Sequence, residues 1–404
     1  MTAQDPRDRS VLVVGASAGG LATAEALRRL GHRGRLTFVE SGVHLPYDRP
    51  PLSKQFLSGE WERERVALRD DTVLAQLEAQ FVLGERAVAL ETVTRTVETD
   101  MWRSFTADAV VIATGVDARW LPGAQDLFGV HTLRSLDDAV ALRGQLEKRG
   151  PLVVVGNGVL GSEIAATAAQ RGIDTTLVGS SATPMAGSLG HVGSAVLARR
   201  HQEAGVRLIG GKRVRALRGR SGRVRTVELS DGTELDAATV VIAVGSEPQT
   251  SWLVDSGLTI DDGVVCDEYC RAGEGIWAVG DVARWQHIGL DQRLRLENRT
   301  NAAEQGLAVA RDILGEGAPY TPLPYFWSDQ YGQRVQVYGS MADADHVALV
   351  DGALEDDRFV LEGSKDGEPI GVLGWAMPKQ ARLRTRPLLD RIKTRSASAL
   401  GPAD

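Results

Sequence analysis

Two cations stand in a stiff, proline-rich segment near the start of the chain. Residues 46–54 read Pro-Tyr-Asp-Arg-Pro-Pro-Leu-Ser-Lys, so that Arg49 and Lys54 flank two adjacent prolines. Proline fixes its own φ angle and pushes the residue before it towards extended geometry, which predicts a rigid, irregular segment over residues 48–52 rather than a helix. Cations held rigidly can stabilise negative charge on a phosphate or on a group that accepts electrons.

A glycine-rich turn precedes this segment, in the order strand, turn, helix. The β-branched run at residues 10–14 enters Gly-Ala-Ser-Ala-Gly-Gly at 15–20, and residues 21–30 have a helical pattern. A second apolar run, 36–39, ends at Glu40, about 20 residues after the turn, where an acid can bind a ribose hydroxyl. This order predicts a βαβ dinucleotide-binding unit.

The small residues of this first glycine turn have separate roles in the predicted unit. Gly15 permits the tight turn, Gly20 lets the helix pack closely on the strand, and backbone N–H groups at the helix N-terminus, beside Ser17 and Ala18, point at a pyrophosphate. Ser17 occupies the place of the second glycine of the usual pattern. This match alone therefore leaves a purely structural turn open.

A second glycine turn follows an apolar run at residues 152–155. It reads Gly-Asn-Gly-Val-Leu-Gly and is followed by a helical pattern at 162–170 and an apolar run at 175–178. All three glycines are present, and Gly179 stands where a ribose-binding acid would be expected. Two fingerprints in one chain predict two dinucleotides, usually a tightly held flavin and a visiting nicotinamide coenzyme. The coenzyme contacts predicted in this turn are Gly156, Gly158, Leu160 and Gly161.

Three further strand ends support the two units. Apolar runs at 109–113 and 239–243 each end in a glycine and predict paired crossovers, with simple strand exits as the alternative. A strand at 276–279 leads to Asp281, whose carboxylate can bind a ribityl chain and can equally cap a helix over 282–285. The candidate residues at these ends are Ala113, Thr114, Gly115, Gly245, Gly280 and Asp281.

The composition is that of an ordinary globular enzyme. The 404 residues are 43% hydrophobic and 25% charged, with a net charge of −7, so global charge favours neither nucleic acid nor membrane as a partner. No apolar run approaches the length of a membrane span and no signal peptide is evident, which predicts a cytoplasmic protein. Cys266 and Cys270 are spaced C-x3-C, which matches neither a dithiol pair nor a metal site.

The composition changes after residue 320. Prolines at 319, 322 and 324 predict a linker, and the alternating pattern beyond it predicts a small α+β domain with turns at Asp351-Gly352 and Asp366-Gly367. Its predicted strands are 333–339, 346–350, 358–361 and 370–375. Residues 379–395 form a basic tail with seven Lys or Arg and one Asp.

Nearly the whole chain resembles the FAD-dependent NAD(P)H reductases of ferredoxins and rubredoxins that serve bacterial oxygenases and cytochromes P450. The resemblance is carried by the two glycine turns, residues 46–54, Ala-Val-Gly-Asp-Val-Ala at 278–283 and Phe-Trp-Ser-Asp-Gln at 326–330. It implies an α/β fold with two Rossmann-like domains, of the glutathione reductase type, and a small C-terminal α+β domain. The implied domains are FAD-binding at 1–120 and 248–320, NAD(P)H-binding at 121–247, and C-terminal at 321–404.

The resemblance also implies roles for single residues. Lys54 would lie near the reactive edge of the flavin and pair with Glu163, and Trp327 would lie beside the flavin. The remaining matched FAD contacts are Arg49, Arg134, Glu40 and Asp281. Arg299 stands where many relatives have Trp, which leaves open what covers the flavin on that side.

The function implied is electron transfer from NAD(P)H through FAD to a [2Fe-2S] or similar ferredoxin that feeds a cytochrome P450 or a Rieske oxygenase. One alternative is a disulfide reductase, NADH oxidase or peroxidase of the same fold, but the position of the cysteine in its CoA-disulfide branch is Val43 here. Another alternative is a flavoprotein that acts in assembly or signalling. NADH is the favoured coenzyme, with NADPH as the alternative, because no basic residue lies between Arg171 and His191.

An acidic ferredoxin would be steered by arginines near the flavin edge. The candidates are Arg293, Arg295 and Arg299, or the basic tail at 379–395, whereas the arginines between 213 and 225 are interpreted as a solvated surface. No metal site is predicted, and the assembly is expected to be a monomer or a weak homodimer.

Overall fold

The computed structural model describes residues 5–400 of the chain. Its first unit is a six-stranded sheet whose strands are parallel except at one edge, where Arg271–Gly273 runs antiparallel to its neighbour. The four residues of Val11–Val14 are all buried, as expected for an inner parallel strand covered on both faces. The spatial order of the strands is Arg271–Gly273, Ile276–Ala278, Ala109–Ile112, Val11–Val14, Leu36–Glu40 and Ala79–Leu83.

The second unit is a five-stranded parallel sheet. Its strands, in spatial order, are Arg207–Ile209, Thr175–Val178, Leu152–Val155, Thr239–Ile242 and Val130–His131. Each unit also carries a three-stranded antiparallel sheet, which precedes Ala109–Ile112 in the first unit and Thr239–Ile242 in the second. In the first unit this sheet is Ala87–Glu91, Thr96–Thr99 and Ser104–Thr106, and in the second it is Val214–Arg220, Arg223–Leu229 and Glu234–Asp236.

The helices cover the faces of these sheets. Ala18–Arg29 and Val159–Gln170 follow the two glycine turns, and Arg299–Ile313 packs against the first of them. The remaining α-helices of the two units are Gln55–Ser58, Asp71–Ala75, Leu136–Leu146 and Ala186–Glu203. Short 3-10 turns lie at Pro6–Asp8, Pro50–Ser53, Arg63–Val66, Ala124–Asp126, Ser251–Leu253 and Gly280–Val282.

Both glycine turns have the same steric design. Gly15 has φ +108°, and a Cβ atom there would lie 2.3 Å from the carbonyl oxygen of Ala113. A Cβ atom on Gly20 would lie 2.0 Å from the carbonyl oxygen of Gly15, so this glycine is needed for the close approach of helix and turn. Gly158, the second glycine of the second turn, has open space around it, which explains why the first turn accommodates Ser17 there.

In the first unit, one prediction and one alternative about local structure are wrong. The segment after Arg49 is not irregular, because Pro50–Ser53 forms a 3-10 turn and Gln55–Ser58 continues as an α-helix. The φ angle of proline is compatible with the first turn of a helix, and that compatibility prevails here. No helix follows Asp281, since the 3-10 turn Gly280–Val282 passes directly into the strand Ala283–His287.

The crossovers between the units pair with each other. Val116–Ala118 and Ser246–Pro248 form a two-stranded antiparallel sheet in which Val116 faces Pro248. The chain therefore leaves the first unit and returns to it through adjacent strands. A separate small sheet consists of Val264–Cys266, Ala283–His287 and Gln292–Leu294.

The C-terminal part is a five-stranded antiparallel sheet with two helices, Pro378–Leu383 and Arg386–Leu400. The turn at Asp366-Gly367 is confirmed, but the turn predicted at Asp351-Gly352 is wrong. A β-bulge between Leu349 and Asp351 lets that strand continue. The strands, in spatial order, are Tyr325–Gln330, Gln333–Gly339, Glu368–Trp375, Arg358–Lys365 and His346–Ala353.

The α/β class is confirmed, while the domain limits stay a prediction. Residues 1–4 and 401–404, which those limits include, lie outside the described residues. Within residues 5–400, none of the helices combines the length and the apolar character that a membrane span requires.

Candidate functional site

A cleft with a volume of about 860 Å³ lies where the strands of both units end. From the first unit and its neighbours it is lined by the predicted residues Gly15, Ser17, Ala18, Glu40, Arg49, Lys54, Ala113, Thr114, Gly115, Arg134, Gly280 and Asp281. From the second unit and the C-terminal sheet it is lined by Gly158, Leu160, Glu163, Gly245 and Trp327.

Four predicted glycines do not line the cleft: Gly20, Gly156, Gly161 and Gly179. Three of them, Gly20, Gly156 and Gly161, allow close backbone contacts within the glycine turns. Gly156 has φ +110° and a Cβ atom there would lie 2.0 Å from the carbonyl oxygen of Ala243, while Gly161 approaches Gly156 as Gly20 approaches Gly15. Gly179 ends the strand Thr175–Val178, against the side chain of Asn157.

Arg49 is a cation in the cleft without an ion-pair partner among residues 5–400. Its guanidinium donates a hydrogen bond to Ser17 Oγ, and its buried Nε has no hydrogen-bond partner in the part of the chain that the structure describes. Burial lowers the pKa of Arg49, and the neighbouring charge of Arg134 lowers it further. Arg49 is half-buried, and a half-buried cation without an ion pair is stabilised by an anion that binds beside it, so this position suits a pyrophosphate.

Arg134 and Asp281 form an ion pair across the cleft wall, with Nη2 and Oδ2 3.0 Å apart. The backbone before the helix Leu136–Leu146 holds Arg134 in place, because Asp138 accepts from the backbone N–H groups of Arg134 and Ser135. The Nε of Arg134 is buried and has no partner within the described residues. This pair therefore offers both a donor and an acceptor to a polar chain.

Glu40 closes the other end of the first turn. Its Oε2 accepts from the backbone N–H of Ala16 at 2.7 Å, and its Oε1 accepts from that of Gly42 at 2.8 Å. The carboxylate is thus held at the end of its strand with lone pairs to spare for hydroxyl groups. Together with the free arginine nitrogens and the glycine turn, this arrangement fits an FAD with its diphosphate at the turn.

Lys54 and Glu163 form a buried ion pair in the same cleft. Lys54 Nζ lies 2.7 Å from Glu163 Oε2, and the two residues are 9% and 5% exposed. Ser53 Oγ donates to the same oxygen at 2.6 Å, and Ser328 Oγ donates to Oε1 at 2.7 Å. The Lys54 ammonium also lies 5.3 Å from the centre of the Trp327 ring. The first unit, the second unit and the C-terminal sheet therefore meet at one carboxylate.

Sequence reasoning missed the two serines. Ser53 lies in the proline-rich segment and Ser328 in the Phe-Trp-Ser-Asp-Gln motif, but nothing in either pattern indicates a contact with Glu163. Gln330 extends the network, because its Nε2 donates to Ser328 Oγ at 3.1 Å. Only the meeting of three distant chain segments brings these groups together.

Arg299 also lines the cleft, at the start of the helix Arg299–Ile313. Its Nε donates to Asp48 Oδ1 at 2.8 Å, so this residue forms an ion pair with the proline segment. The N-cap Asn298 accepts from the backbone N–H of Asn301 at 2.7 Å and fixes this helix end.

The cleft contains no thiol among its lining residues. Cys266 and Cys270 are buried elsewhere and unpaired, and burial raises the pKa of both, that of Cys270 to about 12. Val43 is 66% exposed. A mechanism with a cysteine nucleophile therefore has no residue to carry it at this site. Within residues 5–400, no group of three or more potential metal ligands is found.

Two dinucleotide units that share a cleft define an oxidoreductase that combines FAD with a pyridine nucleotide. Residues 9–306 match the pyridine nucleotide-disulphide oxidoreductase family, and the chain belongs to this family. Residues 325–403 match a second family, described as reductase C-terminal. The predicted fold, enzyme class and cofactors, FAD and NAD(P)H, are confirmed.

Two curated relatives and one solved structure illustrate this similarity. Rhodocoxin reductase of Rhodococcus erythropolis is 34% identical, over 87% of this chain and 82% of the relative. The ferredoxin reductase component of the chlorobenzene dioxygenase of Cupriavidus sp. (strain PS12) is 34% identical, over 93% and 91%. The crystal structure of the ferredoxin reductase for the CYP199A2 system of Rhodopseudomonas palustris is 29% identical, with a TM-score of 0.90 over 96% of this chain and 100% of that one.

Proposed function

We propose that this protein passes electrons from NAD(P)H, through FAD, to a ferredoxin that feeds a cytochrome P450 or a Rieske oxygenase. The observation that carries the proposal is the buried Lys54–Glu163 pair, held between two dinucleotide turns in a cleft without a thiol. Two of the similar proteins are ferredoxin reductases of a dioxygenase and of a P450 system, which supports the same acceptor. A disulfide reductase is disfavoured because it would need a cysteine beside the flavin.

The residues that would hold FAD are those of the first turn and its facing walls. Arg49 would bind the pyrophosphate, Glu40 the adenosine ribose, and Arg134 with Asp281 the ribityl chain. The other proposed FAD contacts are Gly15, Ser17, Ala18, Gly20, Ala113, Thr114, Gly115 and Gly280. The proposed coenzyme contacts are Gly156, Gly158, Leu160, Gly161, Glu163, Gly179 and Gly245. The proposed division of domains at residues 120, 247 and 320 follows the same assignment.

Bound FAD would accept a hydride from the nicotinamide and release electrons one at a time to an iron–sulfur protein. The contribution of the chain is orientation and charge. Lys54 would offset negative charge on the flavin ring, and Glu163 would hold the ammonium in place from the side of the nicotinamide. Trp327 would exclude water beside the ring. No general base or nucleophile is required.

The role of Lys54 is tested by anaerobic stopped-flow reduction of the bound flavin by NADH. Lys54→Met should slow the reduction at least about tenfold, since it removes a preorganised positive charge. Lys365→Met, at the exposed end of the strand Arg358–Lys365, is the matched control and should leave the rate unchanged. An unchanged rate in Lys54→Met would remove the role assigned to this residue.

The acceptor is tested by cytochrome c reduction with NADH as the donor. The rate should be low with the reductase alone and should rise steeply when a ferredoxin is added. A rate that does not depend on ferredoxin would refute the proposed acceptor. A flavoprotein of assembly or signalling would show no rapid turnover in either case.

The proposed docking surface for ferredoxin centres on Arg293. Arg295 and Arg299 are paired with carboxylates, whereas Arg293 is exposed and has no ion pair among residues 5–400. Arg293 lies in the strand Gln292–Leu294, and Gly289 lies in the turn before this strand. The helix Arg386–Leu400 packs against that turn, since a Cβ atom on Gly289 would lie 2.6 Å from Ser396 Oγ. The basic tail is thus continuous with the strand that leads to the cleft.

Charge reversal tests this surface. Arg293→Glu should lower kcat/KM for ferredoxin about fivefold at low salt and reduce its salt dependence, because the residue acts through long-range steering. The matched control is Arg220→Glu, an exposed arginine on the antiparallel sheet of the second unit. Equal behaviour of the two variants would remove Arg293 from the surface. The proposed setting is the cytoplasm and the proposed assembly a monomer or weak homodimer, which sedimentation velocity measures.

A further inference from the structure

The side chain of an asparagine in the second glycine turn occupies the space that the side chain of a ribose-binding acid at residue 179 would need. Asn157 follows the first glycine of this turn, and Gly179 at the neighbouring strand end faces it. A Cβ atom on Gly179 would lie 1.9 Å from Asn157 Cγ and 2.0 Å from its Oδ1. The carboxamide therefore occupies the start of any side chain at residue 179, which is why this strand ends in glycine.

Two backbone carbonyls fix the orientation of this carboxamide. Asn157 Nδ2 donates to the carbonyl oxygen of Ser181 at 2.8 Å and to that of Thr183 at 3.4 Å. Because both partners are acceptors, the amide nitrogen must face them and the oxygen must face Gly179. The side chain is 8% exposed, and within residues 5–400 no donor bonds to Oδ1. A nearly buried acceptor is therefore left free at this strand end.

The first turn has the same two positions with the residue types exchanged. Ala16 stands at the place of Asn157, and Glu40 stands at the place of Gly179. In the first turn the small residue is Ala16, and Glu40 at the strand end accepts a hydrogen bond from the backbone N–H of Ala16 at 2.7 Å. In the second turn the small residue lies at the strand end, and the turn supplies the acceptor.

A lysine close to this strand end is already paired. The backbone N–H of Lys212 donates to the carbonyl oxygen of Gly179 at 3.0 Å, which places the residue beside the site. Its Nζ lies 3.0 Å from Asp231 Oδ2, and this contact, together with hydrogen bonds from Thr233, lowers the pKa of Asp231 to about 2. A phosphate at this position would face an amide oxygen and a lysine that is engaged elsewhere.

We propose that Asn157 determines coenzyme specificity by accepting a hydrogen bond from an adenosine-ribose hydroxyl of NADH, in place of the usual acid. The same oxygen disfavours the 2′-phosphate of NADPH, because an acceptor cannot pair with phosphate oxygens. This inference rests on the proposed binding of the coenzyme at the second glycine turn and assigns the residue that distinguishes NADH from NADPH. Asn157 contacts the ribose and has no part in electron transfer.

Calorimetric titration of the flavin-loaded protein with ADP-ribose tests the assignment without turnover. Asn157→Ala should weaken ADP-ribose binding about threefold to tenfold, the range for one net hydrogen bond, and should strengthen 2′-phospho-ADP-ribose binding, because the acceptor that disfavours the phosphate is gone. The matched control is Gln145→Ala, a buried amide of the same unit. Gln145 bonds to Thr239, 3.3 Å away at the opposite end of a parallel strand, and its removal should change neither affinity.

A double variant gives the second turn the residue types that the first turn has at Ala16 and Glu40. Asn157→Ala with Gly179→Glu should regain ADP-ribose affinity and raise the preference over the 2′-phosphate about tenfold, whereas Gly179→Glu alone should weaken both ligands because its Cβ meets Asn157. Unchanged ADP-ribose affinity in Asn157→Ala, or equal weakening of both ligands, would overturn the proposal. Ferredoxin reduction is measured separately, so a failure there refutes the proposed acceptor and leaves the binding result standing.

Discussion

We expect a buried histidine between the second unit and the C-terminal sheet to make the stability of the protein depend on pH. His201 lies in the helix Ala186–Glu203, is 0% exposed, and has its Nδ1 2.7 Å from the hydroxyl of Tyr331. Its Nε2 is buried and has no hydrogen-bond partner within the described residues. Burial lowers the pKa of His201 from 6.5 to about 4, because the charged imidazole would be poorly solvated here.

The sign and size of the effect follow from the difference between the folded and unfolded states. As the pH falls below 6.5 the unfolded chain binds a proton at His201 while the folded chain does not, so the free energy of unfolding decreases until the pH reaches about 4. At about 1.4 kcal/mol per pH unit, the full loss is roughly 3 kcal/mol, of which about 2 kcal/mol falls between pH 7 and pH 5.

Urea unfolding of the flavin-loaded protein at pH 7 and pH 5, followed by tryptophan fluorescence, measures this loss. His201→Gln keeps an acceptor for the Tyr331 hydroxyl but cannot titrate, so it should lose about 2 kcal/mol less than the parent protein between these pH values. The control is His346→Gln, at an exposed strand position, which should follow the parent. The same pH dependence in His201→Gln and the parent would refute the reasoning.

Three further predictions concern the thiols and the cleft. Cys266 and Cys270 should not react with Ellman's reagent at pH 8 in the native protein and should both react in denaturant, because both are buried and burial raises the pKa of each thiol. Ser328→Ala should slow flavin reduction by NADH less than Lys54→Met does, since Glu163 keeps two of its three donors; equal rate losses in stopped-flow would contradict this. Asp281→Ala should weaken FAD binding about tenfold or more, as expected for a lost charged hydrogen bond, and flavin content after gel filtration measures it.

The strands and turns of the two units were predictable because their signals are local. Glycine spacing and apolar runs gave Leu152–Val155 and Thr175–Val178 with the bounds that the structure has. Local signals were misleading where two conformations suit the same residues. Adjacent prolines permit a 3-10 turn at Pro50–Ser53 as well as an extended segment, and a bulge lets the strand His346–Ala353 continue through a sequence typical of a turn.

The contacts of the site were less predictable because they join distant segments. Lys54 and Glu163 could be paired only through a resemblance, and the serines that fix the carboxylate had no signal of their own. The absence of an acid at Gly179 was visible in the sequence, but its cause was not. That cause is the side chain of Asn157, which folds over the strand end and is held by the carbonyls of Ser181 and Thr183.

The pairing of Val116–Ala118 with Ser246–Pro248 has a consequence for how such enzymes can change. Because the chain leaves and re-enters the first unit through adjacent strands, residues 119–245 form a cassette with both ends at one place. A cassette from a relative with another coenzyme preference could be exchanged by joining the two strands, without altering the first glycine turn or the C-terminal sheet. With the proposed assignment of the coenzyme to this cassette, coenzyme choice could change while flavin binding is kept, provided that a new cassette restores the contacts of Glu163 and His201 with the rest of the protein.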